Sequence, residues 1–284
     1  MAAYRRKVRG GPLVSVDGLG LHDAVRAMWP ASVPWSWAGQ LVAALEGAAR
    51  GERRRVVVSV PVRHGKTFLV SHALAWMIAT KPETTCAYLT YSQKLSDRFS
   101  RKIRNLAESC GVQLKDDHNR IEEWRTTKDG GLLSSAVGGP ITGYGADVII
   151  VDDPMKGRET AESEGERDRA WDWLTDDVYT RLQPNASMFV VAARWHDDDP
   201  SGRILRGELK GEAWEVIHYR AIEADADGAE RALWPELWPL AELQRRRASL
   251  PERTWLSLYQ GEPRPPEGAV FRGAMMADDF PSFR

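Results

Sequence analysis

Cysteine is scarce in this sequence, since Cys86 and Cys110 are its only two among 284 residues. They can form neither a disulfide framework nor a cysteine zinc site, so a reducing compartment is expected.

Long apolar runs are missing as well. The longest, at 68–78, is interrupted by Ser71 and His72 and is too short to cross a bilayer, and no signal-peptide pattern opens the chain. We therefore expect a soluble cytoplasmic protein that has no membrane partner.

An excess of one charge is also absent, because 39 Lys and Arg stand against 40 Asp and Glu. This balance argues against a protein that coats nucleic acid over its whole surface, although it leaves room for a local basic strip. Basic residues cluster at the start, in the segment YRRKVR at 4–9, for which a solvated tail is the ordinary interpretation. A chain of this length suits one large α/β domain with a small appendage.

Short β-branched apolar runs alternate with runs of helical period, which predicts an α/β fold whose central, mostly parallel sheet is flanked by helices. The predicted strands are 55–60, 85–90, 132–137, 147–151, 187–193 and 214–219. The predicted helices are 68–79, 93–109, 162–182 and 240–249. Beyond residue 220 a Trp- and Pro-rich passage begins. We therefore divide the chain into an N-terminal arm and lead-in (1–34), a core (35–222) and a small C-terminal linker subdomain (223–284).

The segment VPVRHGKT at 60–67 lies between a predicted strand and a predicted helix, which is the context of a Walker A phosphate-binding loop. In such a loop, backbone N–H groups at the helix N-terminus bind phosphate oxygens, and Gly65 permits close approach of the backbone. Lys66 reaches the β- and γ-phosphates, and the Thr67 hydroxyl coordinates Mg²⁺. The predicted nucleotide-binding residues are Arg63, His64, Gly65, Lys66, Thr67 and Phe68. Val60 replaces the usual first glycine, so an ordinary turn with a solvent-facing lysine is the alternative.

An acidic strand end supplies a second motif. The run VIIVDD at 148–153 is apolar and ends in two carboxylates, as a Walker B element does. Asp152 would hold Mg²⁺ through water, and Asp153 would orient or deprotonate the attacking water. The alternative is that the paired acids at the strand end are turn or helix-cap residues. Because the two motifs are independent halves of one magnesium–phosphate site, together they predict an ATPase that uses Mg²⁺, with Lys66 and Asp153 as catalytic residues.

Further segments share a pattern with one known family. They are GGPITGYGAD at 138–147, DDPMKGR at 152–158, ES at 162–163, TRL at 180–182, ARWHDDD at 193–199, ALWP at 232–235 and YQGEP at 259–263. Together with the two nucleotide motifs they resemble the N-terminal ATPase domain of tailed-phage large terminase subunits, the DNA-packaging motors. The resemblance covers roughly residues 35–272, and the combination is more specific than any single loop.

The resemblance implies a RecA/ASCE-like P-loop NTPase fold and ATP hydrolysis coupled to translocation of double-stranded DNA into a procapsid. It also implies a homo-oligomeric ring of five subunits at the portal vertex in the host cytoplasm. The portal protein and the small terminase subunit would be partners. Full terminases carry a C-terminal nuclease domain as well. The chain stops about where that domain would begin, so no nuclease activity is expected here.

The resemblance also assigns single residues. The segment WSWAGQ at 35–40 is similar to the family's adenine-recognition element, which implies that Gln40 pairs with the base; a Trp-rich core patch with a surface glutamine is the alternative. Ala193 stands where the family usually has threonine in the coupling segment, so coupling would have to run through Arg194, which receives a catalytic role, or through the loop behind it. Tyr144 stands where an arginine is frequent. The remaining candidates for a trans-acting arginine finger are Arg158 and Arg181.

Two charged clusters have competing interpretations. The run HDDD at 196–199 contains metal-ligand types, but consecutive residues cannot all converge on one ion, so an acidic loop or helix cap is favoured. The predicted helix 93–109 has a basic face, from which Arg101 and Arg104 are predicted to contact DNA phosphates. A solvated helix face explains the same pattern equally well.

Alternatives to a packaging motor stay open at this point. A helicase-type nucleic-acid-dependent ATPase would need a second RecA-like domain, for which no room is left after residue 220. A metabolite kinase would have no use for the coupling segment. A weakly hydrolytic, nucleotide-dependent ring-assembly module is the alternative from a different class. ATP turnover separates such a module from a motor.

Overall fold

The computed structural model describes residues 13–32, 35–141 and 143–264. Its helices are α1 (Leu21–Met28), α2 (Gly39–Ala49), α3 (Lys66–Thr80), α4 (Gln93–Ser109), α5 (Arg158–Glu162), α6 (Glu164–Asp172), α7 (Pro200–Leu205), α8 (Leu240–Ser249) and α9 (Glu252–Gln260). Its strands are β1 (Arg55–Ser59), β2 (Thr85–Thr90), β3 (Leu114–Asn119), β4 (Glu123–Thr126), β5 (Gly131–Ala136), β6 (Ala146–Asp152), β7 (Leu182–Ala192), β8 (Glu215–His218), β9 (Ile222–Ala224) and β10 (Glu230–Ala232). The basic segment 4–9, Thr142 and the linker from residue 265 onward lie outside the described residues.

One eight-stranded sheet organises the chain, with the strand order β3-β4-β5-β2-β6-β7-β1-β8. The strands from β5 to β8 in this order pair in parallel, and only the β3–β4 and β4–β5 pairs are antiparallel. The carboxyl ends of the parallel strands therefore meet at one edge of the sheet. At this edge β7 lies between β1, which leads into the Gly-Lys-Thr loop, and β6, which carries the two acids. The predicted fold class is confirmed.

Both faces of the sheet are buried, which explains why its central strands read as unbroken apolar runs. On β6, Val148 and Ile150 belong to the larger core, which also includes side chains of α1, α2, α3 and α4. Their neighbour Ile149 belongs to the second core, on the opposite face, together with Leu174 and Val178. The alternation follows from the two-residue period of a strand. Helices on both sides thus hold the carboxyl edge in place.

The segment predicted as one helix at 162–182 is interrupted. The helix α5 ends at Glu162, and Ser163 begins α6 by accepting a hydrogen bond at its hydroxyl from the Glu166 N–H at 3.4 Å. After α6 the chain continues as a π-helical turn, 173–178, and a 3₁₀ turn, 179–181. Leu174 and Val178 are buried, whereas Trp171 is half-buried. Ser163, a residue type that often caps helices, lies within the segment predicted as one helix and marks the interruption.

Both ends of the described chain are packed into hydrophobic cores. In the lead-in, α1 is part of the larger core through Leu21 and Val25, and the Trp76 indole donates to the Leu19 carbonyl at 3.1 Å. In the linker region, α8, α9 and the β9–β10 hairpin share a small core of their own around Trp255. No helix among the described residues is long and apolar enough to span a membrane.

Candidate active site

The loop between β1 and α3 begins with a buried valine rather than a glycine. The Val60 N–H donates to the Ala192 carbonyl at 3.1 Å, and its side chain is 1% exposed in the larger core. This position therefore prolongs the pairing of β1 with β7. The departure from the Walker A pattern is a packing feature, and it leaves the later part of the loop intact.

Gly65 shapes the end of that loop. Its φ of 80° lies in the left-handed region, and a Cβ placed there would lie 3.0 Å from Trp35 Nε1, so only glycine fits without strain. The helix α3 starts at the next residue, and no side chain among the described residues caps it. Its first N–H groups lack intrahelical partners. A helix N-terminus in this condition is suited to binding an anion.

Three tryptophans from distant parts of the sequence surround the loop. Trp35 and Trp234 approach Gly65, and the Trp238 indole N–H donates to the Arg63 carbonyl at 3.2 Å. The Arg63 backbone is held in a left-handed conformation, with φ of 64°. The tryptophans thus support a backbone conformation that a non-glycine residue seldom adopts.

His64 is buried beneath this loop. Its ring stacks on Trp238 with a centroid separation of 6.0 Å, and its Nδ1 donates to the Val62 carbonyl at 3.0 Å. Burial lowers the pKa of His64 to about 4, so the ring is neutral at pH 7. The His64 ring is thus a packing element in this structure, and the nucleotide-binding role predicted for His64 stays a prediction.

The lysine of the loop meets the second acid of β6. Lys66 Nζ lies 2.5 Å from Asp153 Oδ2, and only 11% of the lysine side chain is exposed. Burial lowers the pKa of Lys66, but the charges of Asp153 and Asp152 outweigh that effect and raise the pKa above its ordinary value. Lys66 is therefore a fixed cation at the carboxyl edge of the sheet.

Asp153 is also anchored to β7, the strand between the two motifs. Its Oδ1 accepts a hydrogen bond from the Ala193 N–H at 3.0 Å, and its own N–H donates to the Val191 carbonyl at 3.0 Å. The Asp153 backbone is left-handed, with φ of 48°. Such strain at a polar cluster is typical of functional sites. The carboxylate thus joins the lysine loop to the start of the loop after β7.

Asp152 is the buried acid of the pair, with 1% exposure. Burial raises the pKa of Asp152 above its ordinary value, although the nearby Lys66 charge opposes the shift. The Tyr88 hydroxyl donates to Asp152 Oδ2 at 2.8 Å. The other oxygen, Oδ1, has no hydrogen-bond partner within the described part of the chain. The nearby Thr67 hydroxyl acts to lower the pKa of Asp152. A buried oxygen left without a full partner is a candidate ligand for a cation.

The donor set around Asp152 fits Mg²⁺. Mg²⁺ binds oxygen ligands, keeps several waters, and in phosphate sites needs only one or two protein ligands. The Asp152 carboxylate and the Thr67 hydroxyl are oxygens of this kind, at the junction of β6 and α3. No group of three or more His, Cys, Asp or Glu arranged to hold a metal ion is found among the described residues. The pair of Asp152 and Thr67 is the candidate metal position because of its oxygen donors and its place beside the loop.

Arg194 does not take part in this cluster. Its Nε donates to both Asp199 carboxylate oxygens, at 2.9 and 3.0 Å, and its guanidinium also reaches the carbonyls of His196 and Asp197 at 3.3 and 3.4 Å. Asp199 in turn caps α7 by accepting from the Gly202 N–H at 2.8 Å. In this structure Arg194 therefore supports its own loop, and the catalytic role predicted for it stays a prediction. The cap interpretation of the acidic run holds for Asp199.

The remaining predicted residues lie around the cluster. Gln40 is exposed in the first turn of α2, and Phe68 is half-buried against Trp35, with ring centroids 5.3 Å apart. Arg158 contacts the Trp195 carbonyl at 3.3 Å. Arg181 is half-buried at the start of β7. None of these side chains has a contact with Lys66 or Asp153 in the described structure.

The basic face of α4 has fewer exposed basic side chains than the sequence predicts. Arg101 is exposed, and Arg104 donates to Asn119 at 2.9 Å. Lys102, by contrast, places its ammonium 3.5 Å from the centre of the Phe68 ring, where burial lowers its pKa to about 7. Phe99 is half-buried, whereas Ser96 and Ser100 are buried and donate to the carbonyls of Ser135 and Ile121.

A family model for the N-terminal part of the terminase large subunit, of the T4-like virus type, matches residues 57–277. The chain belongs to this family. The match includes both nucleotide motifs and the coupling segment, and it confirms the family predicted from the sequence. No curated protein matches this terminase chain.

Two solved structures of large terminases are similar to this terminase chain. The HK97 bacteriophage large terminase superimposes with a TM-score of 0.59 at 16% identity over 86% of this chain. The chain spans about half of that protein, 55% of its length. The large terminase ATPase domain of Thermus phage P74-26 gives a TM-score of 0.47 at 13% identity, with 74% of this chain and 88% of that domain covered. At the level of fold, the HK97 likeness agrees with the sheet described above.

Proposed function

We propose that this terminase chain is a Mg²⁺-dependent ATPase and the motor part of a DNA-packaging machine that moves double-stranded DNA into a procapsid. One observation carries the proposal. Lys66, Asp152 and Asp153 meet at the carboxyl edge of a parallel sheet, beside an uncapped helix N-terminus, in a chain of the terminase family. These are the groups that phosphoryl transfer from ATP requires.

In the proposed reaction, the N-terminus of α3 and Lys66 bind the β- and γ-phosphates of ATP. Thr67 and Asp152 hold Mg²⁺, which when bound neutralises the negative charge of the phosphates. Lys66 exchanges its Asp153 partner for phosphate oxygens. Asp153 then becomes free to orient the attacking water and to accept its proton, while the Ala193 N–H keeps the other carboxylate oxygen in place.

The contact between Asp153 and the Ala193 N–H supports a route from the site to the rest of the motor. Ala193 lacks the hydroxyl that is usual at this position, but its backbone N–H contacts Asp153 directly. The next residue, Arg194, is bound to Asp199 at the start of α7, and its carbonyl accepts from the Ser257 hydroxyl on α9 at 2.5 Å. A change at Asp153 would therefore reach α7 and α9 through the backbone.

The wider assignments belong to the same proposal. Gln40 recognises the adenine edge, and Arg63 and Phe68 flank the nucleotide. The core is residues 35–222, preceded by the lead-in 1–34 and followed by the linker subdomain 223–284. The motor works as a homo-oligomeric ring, with the portal protein and the small terminase subunit as partners, at the procapsid portal in the host cytoplasm. Either Arg158 or Arg181 serves as the finger that acts on a neighbouring subunit.

We expect the purified chain to release phosphate from ATP in the presence of Mg²⁺ and to stop when the metal is chelated, because the phosphate charge is then no longer neutralised. A malachite-green assay with and without excess EDTA measures this. Restoring Mg²⁺ to the chelated sample is the control and should restore turnover. A chain that binds ATP but shows no turnover under either condition would support the ring-assembly alternative.

We also expect the pair Arg101→Glu with Arg104→Glu to weaken duplex binding at low salt by at least about tenfold, since contacts to phosphate depend on charge. The dependence of log affinity on log salt should flatten by about one unit per lost contact. Fluorescence anisotropy with a labelled duplex of mixed sequence, titrated at several salt concentrations, measures both quantities.

A matched control for this pair lies on the linker region. Arg231 and Arg247 are also exposed arginines, each paired with one carboxylate. The pair Arg231→Glu with Arg247→Glu makes the same change in net charge at another place. If both pairs weaken binding equally, the effect is one of net charge, and α4 is not the DNA-binding surface. Unchanged affinity of the α4 pair contradicts the proposal in the same way.

A further inference from the structure

We infer that Tyr88 is the positioning residue of the metal site, because its hydroxyl fixes the orientation of the Asp152 carboxylate and leaves one carboxylate oxygen without a protein partner. This inference rests on the proposed function, since it concerns the Mg²⁺ that ATP hydrolysis needs. Tyr88 lies on β2, which pairs directly with β6, opposite Ile150 in the register. Its side chain is fully buried, and its hydroxyl lies 2.8 Å from Asp152 Oδ2.

The two oxygens of Asp152 have different surroundings. Oδ2 accepts from Tyr88, whereas Oδ1 is buried and has no hydrogen-bond partner in the described structure. A carboxylate acts only as an acceptor, so the Tyr88 hydroxyl must donate its proton to Asp152. Half a turn of the carboxylate only exchanges its two equivalent oxygens, but a quarter turn would break this bond. The bond therefore fixes the plane of the carboxylate and keeps the other oxygen available to a cation.

The tyrosine ring is itself held in position. Tyr88 is 0% exposed and packs on Phe99 of α4, with ring centroids 5.7 Å apart. Partners that orient a ligand in this way usually change metal affinity by about 10- to 100-fold when they are removed. A simple structural role for the same bond would alter stability but not the response to metal. Metal dependence is therefore the discriminating measurement.

The test is Tyr88→Phe, which removes the hydroxyl and keeps the ring. We expect the Mg²⁺ concentration that half-saturates ADP binding to rise by about tenfold or more, whereas ADP binding in EDTA stays unchanged. Isothermal titration with ADP at a series of Mg²⁺ concentrations measures both. Tyr144→Phe is the matched control, because Tyr144 is also buried and its hydroxyl has no partner among the described residues. It should behave as wild type.

The outcomes separate the inference from the function on which it rests. If wild type shows no Mg²⁺-dependent binding of ADP or ATP, the proposed function fails. If wild type shows it and Tyr88→Phe has the same half-saturation, the inference is overturned. Loss of metal-free binding alone also overturns it. Should Tyr88→Phe be less stable, the rise in melting temperature that Mg²⁺ adds to the ADP complex gives the same comparison, and a rise equal to that of wild type contradicts the inference.

Discussion

Lys66→Ala is expected to lower the rate of ATP hydrolysis by about 10²- to 10³-fold, because it removes the only lysine at the carboxyl edge that contacts an acid of β6 in the described structure. Asp153→Asn is expected to lower the rate by about 10²- to 10⁴-fold, since an amide cannot accept the proton of the attacking water. Single-turnover phosphate release with Mg²⁺-ATP, measured at saturating enzyme, reports the chemical step in both variants.

The two variants should differ in binding. Lys66 is proposed to contact phosphates in the ground state, so Lys66→Ala should also weaken ATP affinity. Asp153→Asn removes a negative charge from the site and should leave ATP affinity equal to or tighter than that of wild type. Lys81→Ala and Asp172→Asn are matched controls, since both residues are exposed at helix ends away from the cluster. Turnover by Asp153→Asn within a few-fold of wild type contradicts the assigned role.

The parts of the site that the sequence predicts well are those set by local patterns. The strand β2 and the helix α4 have the predicted bounds, and the acidic end of β6 falls within one residue of its prediction. Continuous β-branched runs require burial on both faces, which only a central parallel strand provides. The Gly65 turn is equally local. The sequence therefore predicts that the lysine loop and the acidic strand end share one sheet edge.

Contacts between distant segments are not visible in such patterns. Tyr88 reads as one more apolar residue of a buried strand, and only the register of β2 beside β6 shows that its hydroxyl meets Asp152. The burial of His64 depends on Trp238, which follows it by 174 positions in the sequence. Likewise β3 carries mostly exposed polar side chains, so the antiparallel extension of the sheet has no apolar signature.

Arg194 illustrates a different limit, since its partner is only five positions away. The resemblance to the family assigns a catalytic role to Arg194. In the structure Arg194 pairs with Asp199, and which of the three consecutive acids becomes its partner depends on where α7 begins. Asp199 combines the ion pair with the helix cap, and its side chain is 4% exposed. Arg194 is 7% exposed in the same pair. The pair is thus a structural support for the loop that begins at Ala193.

Asp199→Ala is therefore expected to lower the free energy of unfolding by about 3–5 kcal/mol, because it leaves the buried Arg194 charge without its partner. It also removes the acceptor for the Gly202 N–H, and a lost cap by itself costs about 1 kcal/mol. Since total stabilities are only about 5–15 kcal/mol, the variant should unfold at clearly lower denaturant. Urea unfolding followed by circular dichroism, with a fitted slope for each variant, measures the difference.

Two further variants identify the cause of this loss. Asp197→Ala removes a neighbouring acid whose side chain is 55% exposed, and it should change the free energy of unfolding by no more than about 1 kcal/mol. Arg194→Met with Asp199→Asn removes both charges but keeps a capping side chain, so it should recover most of the stability lost in Asp199→Ala. If the double variant is as unstable as Asp199→Ala, the buried charge is not the reason. If the double variant is stable and its ATP turnover remains normal, the charge of Arg194 is not needed for hydrolysis, and the predicted catalytic role of Arg194 is contradicted.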